Sequence, residues 1–89
     1  MSPKVLTAGT LIFWFHSFDA LRENRAGVHV GKGSQDNVND AKVGLEPEVS
    51  VARTGRILRQ HELRHALKVI EDIRYFLLEQ WNEFNRQIK

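Results

Sequence analysis

The sequence predicts an α+β fold, a small antiparallel sheet of three to five short strands packed against one long C-terminal helix. Three observations carry that reading. Up to Leu58 the chain breaks into short β-branched and aromatic runs separated by Gly, Asn, Asp and Pro. From Leu63 the apolar residues recur at spacings of three and four, the period of a helix. After Gly55 there is no further Gly or Pro to interrupt that helix. A helix with one apolar stripe must bury it, and the sheet is the available surface.

The elements follow in order. Residues 1–9 carry no firm pattern and are expected to be a loose N-terminus. Thr10 to His16 are β-branched and aromatic, which favours a strand. Its residues do not alternate cleanly, so both faces are expected to be covered. Ser17 to Arg25 are polar and charged around Phe18 and Leu21, which suits a turn or a short helical stretch. Val28-His29-Val30 reads as a short strand closed by Gly31 and Gly33. Residues 32–40 are rich in Gly, Ser, Asn and Asp and read as an exposed loop. Ala41 to Leu45 predicts a strand, and Pro47 after it disfavours a central ladder there. Glu48 to Arg53 alternates, with Val49 and Val51 on one face, and turns at Thr54-Gly55. Leu63, Leu67, Ile70, Ile73, Leu77, Trp81, Phe84 and Ile88 then form the stripe of a single helix. Its far end, at Trp81, Phe84 and Ile88, is expected to overhang the short strands and to form a partner interface, in a homodimer or with another protein.

Composition narrows the function classes. The 89 residues make one domain and bury a modest core. There is no cysteine, which removes disulfides and thiolate chemistry and leaves His, Asp and Glu as metal ligands. Thirteen Lys and Arg stand against 11 Asp and Glu. Lys42, Arg53, Arg56, Arg59, Arg64 and Lys68 cluster along the chain. That cluster suits a phosphate-facing surface, and an ordinary solvated surface equally well. The run Leu11 to Phe15 is too short to span a membrane and lacks a cleavage site, so a cytoplasmic protein is expected.

The sharpest local motif is His61-Glu62-Leu63-Arg64-His65, an H-E-x-x-H pattern. Zinc hydrolysis there needs both imidazoles on one metal, Glu62 as base and a third ligand. On a helical wheel His61 and His65 fall about 160° from Leu63, hence away from the sheet. So short a chain also leaves no second lobe for a cleft, and the metalloprotease reading is disfavoured. No metal and no cofactor are expected. Gly31-Lys32-Gly33-Ser34 lacks the full phosphate-loop pattern.

His29 is the better candidate. It faces opposite to Val28 and Val30, toward a sheet face expected to be free of the helix. His16, Asp40 and Lys42 fall where neighbouring strands would bring them to the same face. Such a group suits acid–base chemistry or phosphate binding near neutral pH. Trp14 and Trp81 are expected in the core.

Several short stretches carry a family resemblance: Arg25 through Gly31, Asp40-Ala41-Lys42-Val43 with Leu45-Glu46-Pro47, the Gly55 turn, and the helix ending in Trp81-Asn82-Glu83-Phe84. The chain resembles the DUF4160 family of small uncharacterised bacterial proteins, from about Phe13 to Phe84. The resemblance implies a His-x-His strand, of which this chain keeps His29 and has Gly27 at the first position. It also implies an aromatic residue where Gly44 stands. Zinc-protease activity is not a family attribute. Relatives are often encoded beside a small protein of the DUF2442 type, which implies a toxin–antitoxin-like or regulatory pair.

Three functions compete at this point. The first is a protein-binding component of such a pair, with a small protein encoded nearby as partner. The second is a nucleic-acid-binding regulator using Arg53, Arg56, Arg59 and Arg64. The third is an enzyme, an RNA-cleaving toxin using His29 with His16, Asp40 or Lys42.

Overall fold

The computed structural model describes residues 4–88 other than 18, 24 and 37. Five antiparallel strands lie in sequence order: β1 (Lys4–Ala8), β2 (Leu11–Trp14), β3 (Gly27–Lys32), β4 (Ala41–Gly44) and β5 (Ser50–Arg53). A π-helical turn, Asp19–Glu23, stands between β2 and β3. Two helices follow the sheet, α1 (Gln60–Asp72) and α2 (Arg74–Ile88). The expected α+β class therefore holds, at the upper end of the expected strand number.

Alternation along the strands sorts residues onto two faces. Leu11, Phe13, Phe15, Val28, Val30, Ala41, Val43 and Leu45 are buried in the core with Ala66, Ile70, Leu77, Trp81 and Phe84 of the helices. The register places Phe13 opposite Val30 and Val28 opposite Val43, so these residues share the helix-covered face. Trp14, His29 and Lys42 lie one step off and occupy the other face. Trp14 is fully buried there, because its indole lies over Gly31. A Cβ at Gly31 would come within 2.8 Å of Trp14 Cη2, so this strand position requires glycine. Both faces of β2 are thus covered, as its unbroken apolar run requires.

Four differences from the sequence reading have physical causes. Lys4–Ala8 is a strand rather than a loose N-terminus, since it hydrogen-bonds to β2 as an edge. Residues 32–40 are not uniformly exposed: Lys32 ends β3, and Asp40 is fully buried beside β4. The C-terminal helix is two helices, broken at Ile73 (φ −118°, ψ 24°). Helical hydrogen bonding continues across the break, from Ile73 N to Val69 O and from Leu77 N to Ile73 O, and so does the apolar stripe. Arg74, just after it, donates to the carbonyls of Leu45 (2.7 Å) and Pro47 (2.9 Å), tying the start of α2 to the β4–β5 loop.

The last difference concerns the helix end. Trp81 and Phe84 are not an overhang. Phe15 meets Trp81 edge-on at 5.4 Å and Phe84 at 5.6 Å between ring centres. The π-helical turn contributes the buried Ala20 to the same core and contacts α2. The core therefore continues beyond the strands, and Ile88 packs at its margin half-buried. Phe18, one of the apolar residues noted in that segment, lies outside the described residues.

Candidate functional site

The helix-free face of the sheet carries a buried polar network. His29 comes from the middle of β3, opposite Trp14 of β2 and Lys42 of β4. Asp40 stands immediately before β4, and Asp19 opens the π-helical turn. His29 Nε2 lies 2.7 Å from Asp19 Oδ2, and its Nδ1 faces Asp40 Oδ2 directly. Lys42 Nζ donates to Asp19 Oδ1 at 2.7 Å and to Glu23 Oε1. The Arg53 guanidinium holds Asp40 Oδ1, and its Nε donates to the Asp40 carbonyl at 3.2 Å. The result is a line of alternating sign: Glu23, Lys42, Asp19, His29, Asp40, Arg53.

Burial makes this line costly unless every member is paired. Asp19, His29 and Asp40 are only 1%, 5% and 0% exposed. Each nitrogen–carboxylate contact needs a proton, so two protons lie along Asp19–His29–Asp40. Three carboxylates, Glu23, Asp19 and Asp40, stand along the line with the cations Lys42 and Arg53, and the His29 ring lies between the two aspartates. Burial pushes the Asp19 carboxyl up, but hydrogen bonds from His29 and Lys42 outweigh it and hold it at about 2. For Lys42, burial pushes down and is outweighed by Asp19 and Glu23, which raise it. His16 sits 5.5 Å from His29 between ring centres and is lowered by burial and by its neighbour's charge. Trp14 stacks on the His29 ring at 5.9 Å.

The four residues expected to converge, His16, His29, Asp40 and Lys42, do meet. Asp19, Glu23 and Arg53 complete the group. Asp19 and Glu23 lay in a stretch with no strand pattern. Their only signal was acidic residues beside the apolar Ala20 and Leu21. The convergence does not resemble an open catalytic centre, because both His29 ring nitrogens are committed to carboxylates.

Beside the network the same face opens into a groove of about 460 Å³. Gly27, Gly44, Ser50 and Ala52 line it with the charged Glu23, Arg25, Lys42 and Glu46. Gly27 and Gly44 are directly paired across β3 and β4. A Cβ at Gly27 would meet nothing nearer than 3.4 Å, whereas one at Gly44 would press on Ser50 Oγ at 3.3 Å, so the open space lies over Gly27.

The basic cluster divides. Lys42 and Arg53 are bound within the network. Arg56, Arg59 and Arg64 are exposed around the start of α1. Glu62 stands among them, accepting from the Arg59 backbone N–H at 2.9 Å and from Lys32 at 2.7 Å. These two donors, Lys32 first, hold its carboxyl below its ordinary value. Glu62 therefore caps a helix. His61 and His65 are exposed, as the wheel predicts, but they do not face away from the sheet: with Glu62 they line a hollow of about 230 Å³ against Ala8, Gly9, Thr10 and Leu11 of the β1–β2 hairpin. Among the described residues no group of three His, Asp or Glu side chains is placed to hold a metal ion.

A family model of a domain of unknown function, DUF4160, matches residues 11–82. The chain belongs to that family. The DUF4160 match runs from β2 into α2 and takes in every member of the polar network and both groove glycines. No curated protein and no solved structure matches the chain. No helix among the described residues is long and apolar enough to cross a membrane.

Proposed function

We propose that this DUF4160 protein is the protein-binding component of a two-protein pair of the regulatory or toxin–antitoxin-like kind. It holds an extended segment of its partner along the outer edge of β5. The supporting observation is a free sheet edge beside a side-chain-sized groove. Among the described residues β5 pairs only with β4, and all four of its residues are exposed. A strand added there gains main-chain hydrogen bonds, while alternate side chains enter adjacent pockets and give specificity. The groove over Gly27 and Gly44 is such a pocket. The buried network supports this reading in a structural role, because Arg53 of β5 is tied through Asp40 to His29 of β3. It fixes the edge strand against the sheet.

Acid–base catalysis and RNA cleavage at His29 are the weaker reading, since no ring nitrogen is left for a substrate. Nucleic-acid binding is weakened by the engagement of Lys42 and Arg53. The test is calorimetric titration of the product of the adjacent reading frame into wild-type protein and into Gly27→Leu, which fills the groove. Binding by the wild type, at least tenfold weaker in Gly27→Leu at unchanged Tm, is expected. Equal binding by both overturns the assignment of the groove.

A further inference from the structure

We propose that the outward face of α1 and α2 is a self-association surface, on which a second copy of this chain docks antiparallel. This surface lies across the core from the groove and does not depend on the partner reading above.

The outward positions opposite the buried stripe run Lys68, Asp72, Tyr75 and Glu79, at steps of four, three and four. Tyr75 and Phe76 are 78% and 47% exposed, an adjacent aromatic pair at the surface, with the Arg74 guanidinium over the Tyr75 ring at 5.9 Å. Arg64 and Lys68 lie on the α1 side with Asp72 beyond them, and Glu79 and Glu83 on the α2 side, all exposed. Each side holds like charges four residues apart, an arrangement that destabilises a lone helix. Arg64, Lys68 and Glu79 have no ion-pair partner among the described residues, and Glu83 is held by Arg86 and Gln87 of its own helix.

The two sides are complementary to each other, which selects the occupant. Lys68 and Glu79 are equidistant in sequence from the Ile73–Arg74 step, and so are Arg64 and Glu83. A two-fold axis at that step sets Lys68 against Glu79 of the second copy and Arg64 against its Glu83. Each contact is made twice, as an isologous dimer requires. The same axis brings Asp72 beside Tyr75 of the second copy, where the phenol donates to the carboxylate, and covers both Phe76 rings. A parallel arrangement places like charge on like. An interface this polar makes a salt-sensitive dimer.

The experiment is sedimentation velocity on the full chain over a concentration series, at low and at high salt. Wild-type protein is expected to dimerise at low salt and to dissociate as salt rises. Lys68→Glu and Glu79→Lys each weaken dimerisation at least tenfold, with unchanged circular dichroism because both sites are exposed. Mixing the two single variants restores the dimer, since every Lys68–Glu79 contact then again joins opposite charges. Wild-type protein that stays monomeric throughout overturns the proposal. So do single variants that dimerise like the wild type, or a mixture that stays monomeric.

Discussion

Replacing Asp19 by Asn tests the buried network most directly. The Asp19 carboxyl is held at about 2 in the folded protein against an ordinary 3.8, by hydrogen bonds from His29 and Lys42 that outweigh its burial. A depression of that size corresponds to about 2 kcal/mol of folding stability. Because the folded value is the lower one, this stability is fully present above the unfolded value. It is lost as pH falls from about 4 through about 2. Asn keeps the shape and removes the titration. Asp19→Asn is therefore expected to be about 2 kcal/mol less stable at neutral pH, a fall in Tm of roughly 8–16 °C for a domain of this size. Urea denaturation of both proteins across a pH series provides the measurement. The two stability curves should converge as the pH falls through that window. Curves that stay parallel down to acid pH would refute the account, because the loss would then be one of packing rather than charge.

Three further outcomes follow from the fold. Trp81→Ala is expected to cost about 3–5 kcal/mol in urea denaturation, as for a core aromatic; a change within about 0.5 kcal/mol would mark an exposed interface residue instead. Glu62→Ala should lower Tm more than either His61→Ala or His65→Ala. Saturating zinc should shift none of these melting curves, and a zinc-dependent rise that needs both histidines would restore the metal reading.

What was legible in the sequence depended on periodicity. Val28-His29-Val30 announced a strand with its histidine turned away from two buried valines, and the structure places it so. Two antiparallel neighbours with the same alternation were enough to bring Lys42 and Asp40 to His29. Asp19 was not legible, because its position depends on a π-helical turn that no alternation marks. Lys4–Ala8 is short and half-buried as an edge, so its composition carried little strand signal. The break at Ile73 has neither Gly nor Pro to announce it, and the apolar spacing passes through it unchanged. The fate of Trp81 turned on a contact across the fold, with Phe15, that no local pattern specifies.

Gly55 shows how tightly one loop is held to the network. It adopts φ +68°, and a Cβ there would stand 2.3 Å from the Asp40 carbonyl oxygen. The Arg56 N–H donates to the Asn39 carbonyl at 2.8 Å next to it.

The two tryptophans divide the molecule into two optical halves. Trp14 stacks on the imidazole of the polar face, while Trp81 is enclosed by Phe15 and Phe84 on the other side of the same sheet. Intrinsic emission from a Trp81→Phe chain would report the charge state and integrity of the network alone. Emission from a Trp14→Phe chain would report the apolar core alone. Loosening of one layer before the other thus becomes visible without any external label.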